Sequence, residues 1–272
     1  MFDNKLLQHA LKLTGHYTGE IDGRIGSKSQ GGVVSILADN NIGSSGWPAE
    51  RRQIAAFQAA ARQLGYEAGK IDGYWGPQTD FAADQFNEFV ATGKRPTAWR
   101  TDNTEASPGA PHQDIASAWP RGVEAEMNRY YGAVGTNQTK LILPWSLKIA
   151  WNTAQEVDSI TCHEKVHDSV LWVLEAVANE YSEAERARHG FDMFGGCLNV
   201  RRVRGGTAWS VHSWGAALDF DPVRNQLRWG RDLAYFAKPV CDAYRKIWSD
   251  AGALSLGEAR NYDWMHWQFA RL

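Results

Sequence analysis

A loop sequence that occurs twice, fifty positions apart, sets the tightest limit on how the first hundred residues can fold. Leu13-Thr-Gly15-His-Tyr-Thr-Gly19-Glu-Ile21-Asp22-Gly23-Arg-Ile-Gly26 returns as Leu64-Gly65-Tyr-Glu-Ala-Gly69-Lys-Ile71-Asp72-Gly73-Tyr-Trp-Gly76. Gly15 and Gly65, Gly19 and Gly69, Ile21 and Ile71, Asp22 and Asp72, Gly23 and Gly73, and Gly26 and Gly76 stay in register. Self-similarity at a fixed period marks one supersecondary unit used more than once.

Each unit reads as helix, glycine-rich loop, helix. Leu6 to Leu13 is apolar at helical spacing and stops at Gly15, and a second helix runs from Ser27 to about Ala38. In the second copy Pro48 sits near a helix start, the run through Phe57 and Ala60 ends at Gly65, and Pro77 opens a helix toward Phe89. Asp22-Gly23 and Asp72-Gly73 are tight-turn pairs that need a positive φ at glycine, so the two aspartates are read as structural. Gly31-Gly32 is costly inside the first copy's second helix, which marks that copy as degenerate or the pair as one domain with one working groove.

Thr92 to about Pro111 is rich in Thr, Pro, Gly, Ser and Asn without an apolar period, as a linker is. The expected organisation is therefore an all-α domain over 1–92, a linker over 93–114, and a second domain over 115–272. The second is expected to be α+β. Helices are placed near 120–132, 161–182 and 230–250, around a small antiparallel sheet carrying 198–204, 216–221 and 263–270.

The chemistry is concentrated in that second domain. Ser210-Val-His212-Ser-Trp-Gly215-Ala-Ala217-Leu-Asp219 and Asp263-Trp-Met-His266 supply two imidazoles and carboxylates at spacings suited to a catalytic zinc centre. Gly215 and Ala217 are small enough for the chain to fold back beside a metal. A catalytic Zn²⁺ takes three protein ligands and leaves one position to water, so His212, Asp219 and His266 suffice. Asp263 is then free to act as general base and to carry the proton to a leaving amine, which is amide hydrolysis.

These motifs resemble family M15 of the zinc peptidases, the D-alanyl-D-alanine carboxypeptidases and L-alanyl-D-glutamate endopeptidases, whose pattern S-x-H-x-x-G-x-A-x-D is matched at every fixed position. The resemblance covers roughly the C-terminal half. It implies zinc on His212, Asp219 and His266, Asp263 as base, and substrate contact by Ser210, a residue that also suits a turn. Aspartate rather than glutamate as base leans toward the endopeptidase branch. The family also implies an upstream arginine that stabilises the oxyanion. Arg201, Arg202 and Arg204 are the candidates, Arg201 preferred and Arg204 second; alternation along a strand would separate Arg201 from the other two.

Competing readings exist for several of these residues. His163-Glu164-Lys-Val-His167 is a literal H-E-x-x-H, and on a helix capped by Thr161 its imidazoles would share a face beside the stripe Val166, Val170, Val173, Leu174, Val177. Against it, no third-ligand pattern follows, and histidines edging an amphipathic helix explain the segment. Asp221 would face the same way as Asp219 on a strand, with Pro222 suggesting a turn-forming role. Three scattered cysteines, Cys162, Cys197 and Cys241, form no disulfide or metal framework and are read as small buried side chains. Trp209, Trp214, Trp264 and Trp267 either wall the metal site or fill the core.

The duplicated loops resemble the peptidoglycan-binding domain of cell-wall hydrolases, with its G-x-x-x-G-x-x-D-G-x-x-G spacing. Tyr74 and Trp75 in the second copy offer aromatic faces to sugar rings, or pack beneath the loop. Joined to the zinc motifs, the whole resembles a bacteriophage endolysin. It implies a monomeric peptidase, acting on the stem peptide of bacterial peptidoglycan and made in the host cytoplasm. A D-alanyl-D-alanine carboxypeptidase is the alternative chemistry, and a non-catalytic wall-binding or phage structural protein the alternative class. A net charge of -2 argues against a nucleic-acid surface. No apolar run reaches membrane-spanning length, and the first residues lack the pattern of a secretory signal.

Overall fold

The computed structural model describes residues 3–97 and 119–272. Its helices and six-stranded mixed sheet make the chain α+β. The chain divides into two units between Ala98 and Trp99. From residue 98 on, the expected linker lies outside the described residues. No helix among the described residues is long and apolar enough to cross a membrane.

In the first unit the described elements are four helices: α1 (Asn4–Leu13), α2 (Ser27–Asp39), α3 (Ala49–Gln63) and α4 (Pro77–Thr92). Leu6, Leu7, Ala10 and Leu11 of α1 share one core with Phe57 of α3 and Phe86 of α4, so neither copy keeps a core of its own. The Asp-Gly loops are clasped by a residue that the motif did not include. Gln8 Nε2 donates to Asp22 Oδ1 at 2.9 Å and to the Arg24 carbonyl at 3.0 Å, while its Oε1 accepts from the Gly23 N–H at 2.7 Å. Fifty residues on, Gln58 repeats these three bonds, to Asp72 Oδ1 at 3.1 Å, the Tyr74 carbonyl at 3.0 Å and the Gly73 N–H at 2.9 Å. Asp22 and Asp72 each accept from the amide two residues on, both at 2.9 Å, and Gly23 and Gly73 have φ of 78° and 74°. The aspartates are thus structural, as expected of turns. Gly32 has its own reason: a Cβ there would strike the carbonyl oxygen of His16.

The second unit carries the sheet, in the order β2-β1-β3-β4-β6-β5. Its elements run α5 (Glu124–Tyr131), β1 (Gln138–Ile149), β2 (Asn152–His163), α6 (His167–Glu180), α7 (Glu183–His189), β3 (Met193–Gly196), β4 (Ala217–Phe220), α8 (Asp242–Asp250), β5 (Leu254–Ser255), α9 (Leu256–Arg260) and β6 (His266–Gln268). β1 and β3 are parallel and the remaining neighbours antiparallel, so the sheet is mixed, not antiparallel throughout. The long β1–β2 hairpin was not anticipated. β2 is an edge strand whose first half is mostly exposed, which erases the one-sided apolar alternation that marks a strand in sequence. Thr161 therefore lies in a strand and caps nothing, and the helix expected from 161 begins at His167. Residues 198–204 form no strand apart from a bridge between Arg202 and Trp209, and the helix expected from 230 begins at Asp242, after two short 3₁₀ turns.

The core beneath the sheet is aromatic. Trp214, Trp248, Trp264 and Trp267 are fully buried, and Trp248 stacks on Trp267 at 5.3 Å between ring centroids. Burial of such rings contributes roughly 1.5–3 kcal/mol each at the usual area scaling.

Candidate metal centre

Two adjacent strands and the turn before one of them carry the site. In the antiparallel pair β4–β6, Asp219 lies opposite His266. Directly opposed residues on one face bring their side chains together. His212 comes from a 3₁₀ turn, Val211–Trp214, and Gly215 at φ 67° reverses the chain into β4. A Cβ at 215 would come within 2.9 Å of the His163 backbone nitrogen, so at this positive φ the turn has room only for glycine.

The three ligand candidates converge. His212 Nε2 lies 3.2 Å from Asp219 Oδ1 and 3.1 Å from His266 Nδ1, and His266 Nδ1 lies 3.1 Å from the same carboxylate oxygen. All three residues are buried. The partners on the far side of each ring decide where the protons are. His212 Nδ1 donates to the Cys197 carbonyl at 2.7 Å, which leaves Nε2 as a lone pair. Gln268 gives its amide N–H to the Ala270 carbonyl, so its Oε1 faces His266 Nε2 at 3.0 Å and accepts from it. His266 Nδ1 is then a lone pair too. Burial pushes His212 below the usual imidazole range. Burial also opposes ionisation of Asp219, yet the two imidazoles that face it hold its carboxyl well below the usual range.

Three acceptor atoms facing one another in a buried space repel unless a cation sits between them. Nitrogen and oxygen ligands about 2.0–2.2 Å from a tetrahedral ion stand about 3.3–3.6 Å apart, slightly wider than the separations seen. The donor set of two imidazoles and one carboxylate therefore fits a metal of the zinc type. Among the described residues, no other group of three metal-binding side chains comes together.

A pocket opens onto this centre, lined by Asp219, His266, Asp263, Arg201, Arg204, Ser210, Val203, Val211, Leu227, Leu256 and Gln268. Asp263 is buried and has φ of 60°, a left-handed conformation that aspartate tolerates better than most residues. Its carbonyl accepts the His266 N–H at 3.0 Å, so one tight turn presents both side chains to the pocket. Arg201 and Arg204 enter the same pocket, while Arg202 lies over the Trp209 ring at 3.9 Å. The strand alternation that would have set Arg201 against Arg204 fails because the segment is a loop. Ser213 ties that loop to the ligand turn: its hydroxyl accepts the Arg201 N–H at 3.0 Å and donates to the Arg201 carbonyl at 2.8 Å. Ser210 is buried beside the arginines.

The rival histidines do not converge. His163 ends β2, where its Nε2 donates to the Tyr131 carbonyl at 2.7 Å and its Nδ1 accepts the Lys165 N–H at 3.1 Å. Both ring nitrogens are engaged. His167 begins α6 and pairs with Asp168 at 2.7 Å. Asp221 points elsewhere, onto Arg224 at 2.5 Å, and burial raises its pKa. Trp214, Trp264 and Trp267 belong to the core, and none of them lines the pocket. The thiols are buried and protonated; burial pushes Cys162 up to about 12 and Cys241 to about 11.

In the first unit Tyr74 is exposed, whereas Trp75 stacks on Phe57 at 5.8 Å and donates its indole N–H to Asp80 at 2.9 Å. The readings from sequence missed Gln268 and the Cys197 carbonyl. Gln268 had a signal, since residues two apart on a strand share a face with the ligand His266. A backbone carbonyl has none. Comparison with protein-family models, curated proteins and solved structures finds no match to this chain.

Proposed function

We propose that this chain is a zinc-dependent peptidase of the bacterial cell wall, an endolysin that hydrolyses the stem peptide of peptidoglycan at the L-alanyl-D-glutamate bond. The observation that carries the reading is the convergence of three lone-pair ligand atoms beside a pocket that Asp263, Arg201 and Arg204 also line. His212, Asp219 and His266 would hold the ion. Bound there, Zn²⁺ supplies Lewis acidity toward a carbonyl and lowers the pKa of water.

The chain's own residues do the rest. Asp263 takes the proton from the attacking water and returns it to the leaving amine, which suits a carboxylate held by its turn beside His266. Arg201, with Arg204 beside it, offers N–H donors to the oxygen on which negative charge develops. Ser210 lines the approach to both. A structural site has no need of a carboxylate and arginines around an open pocket, which favours an enzyme over a binding protein. The duplicated loops of the first unit support delivery to the wall.

Mass spectrometry of sacculi digested by the zinc-loaded protein tests this. Release of stem peptides that begin at D-glutamate, with L-alanine left on the glycan, is the expected result, and Asp263→Asn is expected to lower turnover about 10²- to 10⁴-fold, the usual contribution of a general base. Release of D-alanine alone would replace the endopeptidase by a carboxypeptidase. Undiminished turnover by Asp263→Asn would remove the proposed mechanism.

A further inference from the structure

In the second copy of the repeat, Arg51 is held in a way that its structural bonds do not require. Its guanidinium carbon lies 4.0 Å from the centre of the Trp47 ring and 4.4 Å from that of Tyr74. Its Nε donates to the Asp72 carbonyl at 3.0 Å, and its stem lies against the Asp-Gly loop, where only a glycine at 73 leaves space. The side chain is thereby fixed at three points. Among the described residues, no carboxylate pairs with Arg51 and its two Nη groups meet no acceptor. Tyr74 is 40% exposed, so the assembly stands at the surface.

With aromatic rings flanking it, a guanidinium meets a ligand through its edge, where the N–H groups form a planar fork. That fork matches the paired oxygens of a carboxylate or phosphate. A fork already immobilised loses little entropy on binding. We infer that Trp47, Arg51 and Tyr74 form an oxyanion-binding site, which recognises carboxylate or phosphate groups of the wall rather than a sugar face. The inference rests on the wall reading above and assigns Tyr74 a different task, that of clamping Arg51. The first copy cannot duplicate the site: the fifty-residue shift places Arg24 where Tyr74 stands, and Met1 where Arg51 stands.

The test uses the full chain carrying Asp263→Asn, so that the wall stays intact. It is sedimented with purified bacterial sacculi that are untreated, amidated at their carboxyl groups, or stripped of phosphodiesters with hydrofluoric acid. One treatment is expected to weaken binding about 10- to 100-fold, the range for hydrogen bonds to a charged group. Loss on amidation identifies a carboxylate, and loss on acid stripping a phosphate. Adding Arg51→Gln should weaken binding to untreated wall equally and abolish the sensitivity to treatment, with Arg51→Lys recovering part. Tyr74→Leu, which loosens the clamp but leaves the Gln58 clasp, gives a smaller loss and serves if Arg51→Gln does not fold. Equal binding to all three walls, treatment sensitivity that survives Arg51→Gln, or binding to none of them overturns the site. Digestion by the unmutated enzyme is scored separately, so a chain that cleaves the wall yet ignores both treatments loses only the oxyanion site.

Discussion

Two parts of the second unit carry histidines at motif spacing, and they end in opposite electrostatic conditions. At His163 the backbone satisfies both ring nitrogens, one as donor to Tyr131 and one as acceptor from Lys165. At His212 and His266 a carbonyl and an amide oxygen take only the outer nitrogens, and the inner ones point at Asp219. The difference shows that a metal site is made by what the far side of each ring does, more than by the histidines themselves. The two regions also touch, since the Gly215 carbonyl between His212 and Asp219 accepts the His163 N–H at 2.9 Å. The rival motif helps to support the site it was weighed against.

The largest effect expected from this contrast is at the ligands. His266→Ala or His212→Ala should abolish zinc retention after gel filtration, a loss beyond the ~10- to 100-fold typical of outer partners, while His163→Ala retains the metal. Zinc lost from His163→Ala but kept by the other two would reverse the assignment. A smaller effect belongs to Gln268→Leu, which removes the acceptor orienting His266; zinc affinity should fall about 10- to 100-fold with the fold intact. Unchanged affinity would mean that the ring is held by packing alone.

The smallest effect concerns stability. His163→Phe leaves buried backbone groups without their side-chain partner and should cost about 1–3 kcal/mol in denaturant unfolding, with zinc content unchanged. Burial lowers the pKa of His163, so the unfolded chain binds its proton first. Its contribution is therefore complete above the ordinary imidazole pKa near 6.5 and declines as the pH falls below it. Unfolding of the zinc-loaded protein between pH 7 and 5 should show a shallower decline in His163→Phe. Parallel curves would assign the acid sensitivity elsewhere.

Particular residues show how much was legible beforehand. The four helices of the first unit could be read from apolar period, proline and glycine, because helix starts and stops depend on nearby residues. Gln8 and Gln58 stood in the same fifty-residue register as the aspartates they clasp, but they lie outside the loop motif. The β1–β2 hairpin escaped because an exposed edge strand loses its apolar alternation. Arg201 and Arg204 were separated on paper by a strand that does not form; the Ser213 hydroxyl instead holds that segment as a loop.

By itself the sequence determined a duplicated helix-loop-helix unit and a short set of residues with metal-binding chemistry. Spacing and side-chain type are local properties, and both follow from the order of residues. Which histidines present lone pairs to a common point was decided only by tertiary structure. It depends on the register that sets Asp219 opposite His266, and on carbonyl and amide oxygens brought from Cys197 and Gln268 to fix each proton. Such partners act through position, and an imidazole has the same formula whether its nitrogens face a backbone or a metal.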